Sequence, residues 1–418
     1  MGRILRRFVF ALVFCAANFS AAHPSQKSTS PRSRWTEAAA NGWYAKQPWL
    51  VGSDYIPSYA INELEMWQAS TFDPKRIDQE LTWAETIRFN TMRVFLHDLL
   101  YQQDPEGFKK RIDTFLTISS KHHIRPIFVL FDSVWDPNPR LGKQHEPRPG
   151  VHNSGWVQSP GAKALSDTAR YPRLEAYVKG VVGAFGQDER VLAWDLWNEP
   201  DNTNDGSYGN LEPKDKVDLV LALLPQVYAW AREAGASQPL TSGVWNGDWG
   251  AGKKLSPMET IQLRESDIVS FHSYEKPPMF EERILSLQHF NRPIICTEYM
   301  ARKNGSTFQG SLPIAKKYHV GAINWGFVAG KTQTIYPWDS WEHPYVDHQP
   351  EVWFHDIFRE NGEPYRPEET NFIREIIGSS NTSPTAVLRS GLQSSRACKD
   401  LYGELIAGES KSVDVADH

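Results

Sequence analysis

Cysteine is scarce in this sequence. Its 418 residues hold only Cys15, Cys296 and Cys398, which provide neither the even set of a disulfide framework nor a metal-ligand spacing. Cys15 falls in a segment that we expect to be removed, and Cys296 alternates inward on a strand like a small buried hydrophobic residue. We therefore expect the fold to rest on its hydrophobic core, without a disulfide bond.

An excess of charge is also absent, and so are long apolar runs. Lys and Arg number 45 against 50 Asp and Glu, for a net charge of −5, which does not indicate a nucleic-acid surface. The apolar stretch 8–17 is too short to span a bilayer. Three arginines precede it and small residues follow it at 20–22, as in a secretory signal peptide. The sequence predicts a protein without a membrane segment, exported to the extracellular space or the periplasm.

Signatures of other enzyme classes are missing. No glycine-rich phosphate turn follows the first predicted strand, which disfavours a doubly wound nucleotide-binding sheet. The sequence has no Gly-x-Ser-x-Gly elbow of an esterase. Its 13 histidines show no His-Glu-x-x-His arrangement. We therefore expect no cofactor and no metal ion.

Aromatic residues, in contrast, are abundant, with 16 Trp, 15 Tyr and 20 Phe. Core packing accounts for about half of the tryptophans. The excess fits a ligand that presents flat apolar faces, as pyranose sugars do, because aromatic rings supply large and rigid contact area.

Eight short apolar runs, most of them followed by a helical pattern, make up the chain between residues 45 and 378. They lie at 49–55, 91–96, 125–131, 193–197, 239–245, 267–272, 292–298 and 321–327. Near-continuous apolar strands indicate a parallel sheet covered by helices, and eight of them close a barrel. We predict a signal peptide at 1–22, a flexible lead-in at 23–44, one (β/α)8 barrel domain at 45–378 and a disordered tail at 379–418.

Two of the predicted strands end in a glutamate. Pro200 ends strand four just after Glu199, since proline has no N–H for the sheet ladder, and Glu298 ends strand seven. Strands four and seven lie on opposite sides of an eight-stranded ring, so their glutamates can converge across its mouth. Two facing carboxyl groups suit cleavage of a glycosidic bond. A lone glutamate at a strand end is more often an ordinary surface carboxylate, and the pairing is what makes the catalytic interpretation strong.

These residues resemble those of a known group of enzymes. The stretches 196–200 and 297–299, together with Arg93 on strand two, 272–274 after strand six and Trp325 on strand eight, resemble the clan A glycoside hydrolases of the family 5 cellulase, mannanase and xylanase type. The resemblance covers roughly residues 45–378. It implies that Glu199 is the general acid/base and Glu298 the nucleophile of a retaining enzyme.

The same resemblance implies roles for five neighbours. Asn198 would hold the sugar 2-hydroxyl, and Arg93 would keep Glu298 ionised. Orientation of the nucleophile or of a sugar hydroxyl would fall to His272 and Tyr274. Trp325 would be the platform under the sugar. The alternatives are an interior ion pair for Arg93, a structural role for His272 and ordinary core packing for Trp325.

Loop residues form a second group of candidates. Asp132, Trp135, Trp245 and Trp249 follow strands three and five and could line neighbouring subsites, or the tryptophans could simply pin their loops. The aromatic stretch 336–344 is expected to form a wall over one end of the cleft. Such a wall favours a pocket that clips chain ends over an open groove for polymers.

The sequence therefore predicts a secreted, retaining β-glycoside hydrolase that acts as a monomer on β-linked oligo- or polysaccharides. Protonation and carboxylate attack supply the chemistry, with no cofactor. Two alternatives stay open: an exo-β-glycosidase or transglycosylase on short oligosaccharides, and a non-catalytic carbohydrate-binding barrel, because a fold alone never fixes an activity.

Overall fold

The computed structural model describes residues 32–379. The signal peptide predicted at 1–22, Cys15, Cys398 and nearly all of the tail predicted at 379–418 lie outside the described residues. The strands within them are β1 Val51–Asp54, β2 Thr91–Phe95, β3 Arg125–Val129, β4 Ala193–Asp195, β5 Leu240–Thr241, β6 Val269–His272, β7 Ile294–Glu298 and β8 Gly321–Asn324.

Helices follow or connect the strands in the same part of the chain. The α-helices are α1 Glu37–Tyr44, α2 Glu63–Trp67, α3 Pro74–Thr86, α4 Asp98–Gln103, α5 Pro105–Lys121, α6 Ala162–Leu165, α7 Tyr171–Phe185, α8 Lys216–Glu233, α9 Pro257–Glu265, α10 Pro277–Leu287, α11 Phe308–Lys317 and α12 Pro367–Gly378. Short 3-10 helices lie at Thr168–Arg170, Gly209–Leu211, Gln288–Phe290, Arg302–Asn304 and Trp338–Trp341. None of the helices between residues 32 and 379 combines the length and the hydropathy needed to cross a lipid bilayer.

The strands form a parallel barrel. Neighbouring strands pair in parallel in the order β5-β4-β3-β2-β1-β8-β7-β6. Between the two ends of this order, Val244 forms a parallel bridge with Phe271, and the Asp267 amide donates to the Leu240 carbonyl at 2.8 Å. These contacts nearly close the barrel between β5 and β6. The predicted (β/α)8 barrel is therefore confirmed.

Helix α3 shows how the sequence specifies where a helix begins and which face it buries. Asp73 caps α3 by accepting hydrogen bonds from the amides of Lys75 and Arg76, and Pro74 occupies the first turn. Such a cap satisfies amides that no helical carbonyl reaches and stabilises a helix by about 1 kcal/mol. The apolar positions of α3, among them Ile77 and Leu81, are fully buried against the barrel.

Two local predictions differ from the structure. Helix α1 lies inside the stretch 23–44 that was predicted as a flexible lead-in. It is ordered because Ala40 and Tyr44 bury themselves in an apolar cluster with residues such as Leu50 and Ile268, near the amino ends of the strands. Strand β5 is also shorter than the predicted 239–245, because after Thr241 the only further bridge to a neighbouring strand is made by Val244.

Candidate active site

Glu199 lies four residues beyond the carboxyl end of β4. The amide of Asn198 donates to the Phe131 carbonyl at 2.8 Å, which continues the alignment with β3 for a few residues. Glu199 then takes a left-handed backbone conformation, with φ of 42°. That conformation costs a non-glycine residue roughly 1–2 kcal/mol, and residues held in it often belong to functional sites. The turn aims the Glu199 side chain across the mouth of the barrel.

Glu298 faces Glu199 from the last position of β7. The two side chains and His272 each offer an oxygen or nitrogen, and these three atoms lie within 4.8 Å of one another. Carboxyl groups of retaining glycosidases lie about 5–5.5 Å apart, whereas those of inverting enzymes stand roughly 6.5–9.5 Å apart to admit a water molecule. The short separation matches direct attack by one carboxylate.

Arg93 and Tyr274 bind the Glu298 carboxylate. The Arg93 guanidinium donates to Glu298 Oε1 at 2.9 Å, and the Tyr274 hydroxyl donates to Glu298 Oε2 at 2.7 Å. Burial raises the pKa of Glu298, while the charge of Arg93 and the Tyr274 hydrogen bond oppose that rise. Both carboxylate oxygens thus have donors that favour the ionised form.

Arg93 is fully buried inside the barrel rather than at its surface. It also donates to Asp54 at 2.9 Å and to Asp195 at 3.0 Å, and a further bond of 2.7 Å reaches the Asn198 side-chain oxygen. Burial alone would lower the pKa of Arg93, but Asp195, Asp54 and Glu298 together raise it above its ordinary value. Arg93 therefore stays positively charged and holds the side chains of Glu298 and Asn198 from inside the barrel.

Glu199 has a different environment. His272 Nδ1 lies 3.0 Å from Glu199 Oε1, and the Asn202 amide nitrogen donates to Glu199 Oε2 at 2.7 Å. Among the described residues no lysine or arginine forms an ion pair with Glu199. Burial raises the pKa of Glu199 to about 7. Near neutral pH this carboxyl group is therefore partly protonated, as a general acid requires.

His272 lies between the two glutamates. A register shift between Phe271 and His272 sets His272 level with Glu298 across the β6–β7 pair, and such irregularities re-aim side chains at strand ends. Burial lowers the pKa of His272 to about 4. The imidazole is therefore neutral at pH 7 and shares a proton with Glu199 without adding a charge.

A cavity of about 260 Å3 opens above the two glutamates. Eight of the sequence-predicted site residues line it, namely Asp132, Trp135, Asn198, Glu199, Trp245, Tyr274, Glu298 and Trp325. Arg93 and His272 do not line the cavity, because both are buried behind the glutamates and contact their carboxylates. These contacts are the ones expected if Arg93 keeps Glu298 ionised and His272 orients the nucleophile, and both roles stay predictions.

Asp132 and Trp325 are held by specific contacts. Asp132 accepts hydrogen bonds from Trp156 Nε1 at 2.7 Å and from the Asn198 amide nitrogen at 2.9 Å. Burial raises the pKa of Asp132 to about 7. The half-buried Trp325 ring lies edge-on to Phe95 and Trp156, at centroid distances of 5.8 and 5.6 Å, and its remaining surface faces the cavity.

The sequence analysis missed several wall residues. His152, Asn153, Trp156 and Asn202 line the cavity, and the loops that carry them show no periodicity that could have revealed them. The sequence could have pointed to Asn202, since it lies only three residues after Glu199 in a tight turn. Trp249, in contrast, does not line the cavity, because its ring turns away from it and its Nε1 donates to Glu259 on helix α9.

The aromatic stretch 336–344 lies where a wall was expected. Trp338 lines the cavity, and its ring stands edge-on to Tyr274 at 5.0 Å. Trp341 stacks on Trp135 at 5.3 Å. The stretch therefore covers one end of the cavity.

The cluster of Glu199, His272 and Glu298 could also hold a divalent cation, since three potential ligand atoms converge there. Arg93 and Tyr274, however, already donate to both oxygens of Glu298. A guanidinium at 2.9 Å would repel a metal ion bound to the same carboxylate. The donor set suits proton transfer and carboxylate attack better than metal binding.

Comparisons with known proteins place this fold. No protein-family model matches the sequence, and no curated protein matches it. Solved structures do: a GH5_18 variant from Streptomyces cattleya in complex with Manb1-4GlcNAc aligns over 81% of this chain and 82% of its own, with 10% identity and a TM-score of 0.56.

Two further structures are similar over most of the chain. An endo-beta-1,4-mannanase from Thermotoga petrophila aligns over 81% of this chain and 78% of its own, with 14% identity and a TM-score of 0.51. An exo-beta-1,4-mannosidase from an Opitutaceae bacterium aligns over 79% of this chain and 59% of its own, with 17% identity and a TM-score of 0.52. At these identities the likeness shows the fold alone, a (β/α)8 barrel shared with these three glycoside hydrolase structures.

Proposed function

We propose that this protein is a retaining β-glycoside hydrolase that cleaves O-glycosidic bonds of β-linked glycans. One observation carries the proposal: two facing carboxyl groups lie close together and have different partners. Burial raises the pKa of both, to about 7 for Glu199, but Glu298 accepts a hydrogen bond from the buried Arg93 guanidinium, whose charge opposes the rise. Carboxyl pairs whose surroundings divide them into an acid and an ionised partner are typical of glycosidases.

In the first half of the proposed reaction, a carboxylate oxygen of Glu298 attacks the anomeric carbon. As the bond from that carbon to the leaving oxygen breaks, Glu199 transfers its proton to the leaving oxygen. The product is a glycosyl ester on Glu298 and a free alcohol. Asn198, held in place by Arg93, lies beside both groups and is suited to bind the 2-hydroxyl of the sugar.

In the second half, a water molecule takes the place of the departed alcohol. Glu199, now ionised, removes a proton from the water. At the same time the water oxygen bonds to the anomeric carbon, and the ester bond to Glu298 breaks. Two displacements at one carbon retain the β configuration. A sugar hydroxyl in place of water would give transglycosylation by the same groups.

The similar structures guide the choice of substrate. Their names specify beta-1,4-mannanase and beta-1,4-mannosidase, and one holds Manb1-4GlcNAc. This supports a carbohydrate substrate and makes β-mannosides the first sugars to test. The segment 1–22 supports the further proposal that the protein is exported, which amino-terminal sequencing of the mature protein would test.

The experiment is hydrolysis of a panel of aryl β-glycosides by the wild type and by Glu298→Gln and Glu199→Gln. We expect the wild type to cleave at least one member and both variants to lose that activity, Glu199→Gln by roughly 10²–10⁴-fold. The control is Glu281→Gln, which changes a partly exposed glutamate on the outer helix α10 that pairs with Lys317 at 2.7 Å. Oligosaccharide binding without cleavage above the level of both variants would instead indicate a non-catalytic sugar-binding barrel.

A further inference from the structure

Asp132 and Asn198 lie side by side just beyond the ends of β3 and β4. The two residues form a parallel bridge, in which the Asn198 amide donates to the Phe131 carbonyl at 2.8 Å and the Ser133 amide donates to the Asn198 carbonyl at 3.2 Å. Residues paired in adjacent strands direct their side chains to the same face of the sheet. The backbone therefore brings the Asp132 carboxyl group beside the Asn198 side chain.

The backbone of Asp132 is also held from its other side. Asp132 forms an antiparallel bridge with Ser159, whose amide donates to the Asp132 carbonyl at 3.1 Å. Asp132 is only 2% exposed and Asn198 only 4%. Asp132 is thus fixed between two chain segments, and its carboxyl group has little freedom to move relative to Asn198.

Three N–H groups converge on the Asp132 carboxyl group. Its Oδ1 accepts hydrogen bonds from the Val134 amide and from Asn198 Nδ2, both at 2.9 Å, and its Oδ2 accepts one from Trp156 Nε1 at 2.7 Å. These bonds oppose the rise in the pKa of Asp132 that burial causes. Both carboxyl oxygens are therefore engaged inside the protein, although the residue lines the cavity.

The Asn198 side-chain amide is held at both of its ends. Arg93 donates to Asn198 Oδ1 at 2.7 Å, and Asn198 Nδ2 donates to Asp132. A guanidinium only donates and an ionised carboxylate only accepts, so the two neighbours require the same orientation of the amide. One N–H of Nδ2 and one lone pair of Oδ1 remain for a ligand. Asn198 lines the cavity beside the two glutamates, so these remaining groups meet the substrate in a fixed arrangement.

We propose that Asp132 is a positioning residue, which holds the Asn198 amide in the orientation that binds the 2-hydroxyl of the sugar at the cleavage point. The inference rests on the proposed function, in which Asn198 binds that hydroxyl. The sequence analysis predicted that Asp132 lines a neighbouring subsite, whereas here it acts on the substrate through Asn198. Because contacts with the 2-hydroxyl strengthen in the transition state, loss of Asp132 should lower kcat more than it raises KM.

The first test is a double-mutant cycle of Asp132→Ala and Asn198→Ala on the aryl β-glycoside that the wild type cleaves best. We expect each single variant to lose roughly 10- to 100-fold in kcat/KM, mostly in kcat. In the Asn198→Ala background, adding Asp132→Ala should cost less than about 3-fold more, because the residue through which it acts is already absent. Losses that multiply in the double variant would overturn the inference.

The second test compares that glycoside with its 2-deoxy analogue. Asp132→Ala should lose roughly 10- to 100-fold on the parent glycoside but less than about 3-fold on the analogue, which has no 2-hydroxyl to bind. Any difference in intrinsic reactivity between the two glycosides cancels, because both are assayed with each protein. An equal loss on the two substrates would overturn the inference, since a purely structural defect lowers both rates alike.

Asp267→Ala is the matched control for this comparison. Asp267 is also a fully buried aspartate that accepts backbone N–H groups, from Leu240 at 2.8 Å and from Trp35 at 2.7 Å, but it lies at the amino end of β5. We expect Asp267→Ala to lower the free energy of unfolding and to leave the ratio of the rates on the two glycosides unchanged. A shift of that ratio toward the 2-deoxy analogue, as large as in Asp132→Ala, would overturn the specific role of Asp132.

If Asp132→Ala does not fold, Asp132→Asn decides the question. The carboxamide keeps the shape of the side chain, but a neutral acceptor makes hydrogen bonds about half as strong as an ionised one. We expect a loss of roughly 3- to 10-fold on the parent glycoside and none on the 2-deoxy analogue. An equal loss on both, or no loss on either, would overturn the inference and leave the proposed function standing. Failure of the wild type to cleave any aryl β-glycoside or oligosaccharide would overturn the proposed function itself.

Discussion

His272 Nδ1 lies 3.0 Å from Glu199 Oε1 and 3.5 Å from Glu298 Oε2. One neutral imidazole therefore touches both carboxyl groups. Through this contact the protonation of one glutamate can affect the other. The imidazole itself carries no net charge at pH 7, because burial lowers the pKa of His272 to about 4. In the proposed mechanism, the different roles of the two glutamates depend on this shared neighbour as well as on Arg93.

The pH dependence of activity should reflect the different protonation states that the two glutamates need. Glu199 has to carry a proton, and burial raises its pKa to about 7, so we expect kcat/KM to fall as the pH rises through about 7. Glu298 has to be ionised, which sets the decline on the acidic side. In Glu199→Gln, assayed on an aryl glycoside with a good leaving group, the decline near pH 7 should disappear. Its persistence would assign that titration to another group.

Tyr274→Phe tests the hydrogen bond to the nucleophile. The variant removes the 2.7 Å bond to Glu298 Oε2, which normally holds the pKa of Glu298 down against the effect of burial. We expect kcat to fall by roughly 10-fold, for the loss of a charge-assisted hydrogen bond of about 1.5–3 kcal/mol, and the acidic decline to move to higher pH.

The control for this prediction is Tyr171→Phe. Its hydroxyl donates to the Leu165 carbonyl at 3.0 Å at the start of helix α7, away from the cavity. This variant should keep both the rate and the pH profile. An unchanged acidic decline in Tyr274→Phe would show that its hydroxyl does not tune Glu298.

Arg93→Met should destabilise the fold by about 3–5 kcal/mol, the usual cost of leaving buried charges without their partner. Asp54, Asp195 and Glu298 would then be buried without a cation. Burial already raises their folded-state pKa values, and without Arg93 these would rise further above the unfolded ones. A raised carboxyl pKa destabilises most at neutral pH, and the penalty disappears as the pH falls below about 4, the unfolded value. Denaturant unfolding at several pH values measures this trend. A deficit that stays constant with pH would contradict it.

Activity should not depend on divalent cations. Chelation with EDTA should leave activity unchanged, because the proposed steps use only carboxyl groups and water. Added Mg²⁺ should not raise activity, since the Arg93 guanidinium lies 2.9 Å from Glu298 and would repel a cation at the cluster of Glu199, His272 and Glu298. Loss of activity after chelation, restored by a metal ion, would contradict the proposed mechanism.

Much of the barrel and of its catalytic centre could be predicted from the sequence. Strands buried on both faces read as apolar runs, and Pro200 fixed the end of the run that holds Glu199. The topology of an eight-stranded ring then set Glu199 opposite Glu298. Strand β5 was overestimated because an apolar run shows burial but not how many ladder bonds the chain makes.

The cavity wall could not be predicted in the same way. His152 and Asn153 lie in a long polar loop without periodicity, and His152 is positioned by a bond to Ser340, 188 residues further along the chain. Arg93 was placed on the correct strand, but its depth depends on Asp54 and Asp195. Long-range polar contacts of this kind leave no local pattern in a sequence.

The most direct test of the central claim is to trap the covalent intermediate. The wild type would be incubated with the 2-deoxy-2-fluoro analogue of its preferred aryl β-glycoside, which slows both displacements, and then digested and examined by mass spectrometry. The account predicts one sugar ester on Glu298 and none in Glu298→Gln. An adduct on another residue, or turnover of the parent substrate with inversion and no adduct, would contradict it.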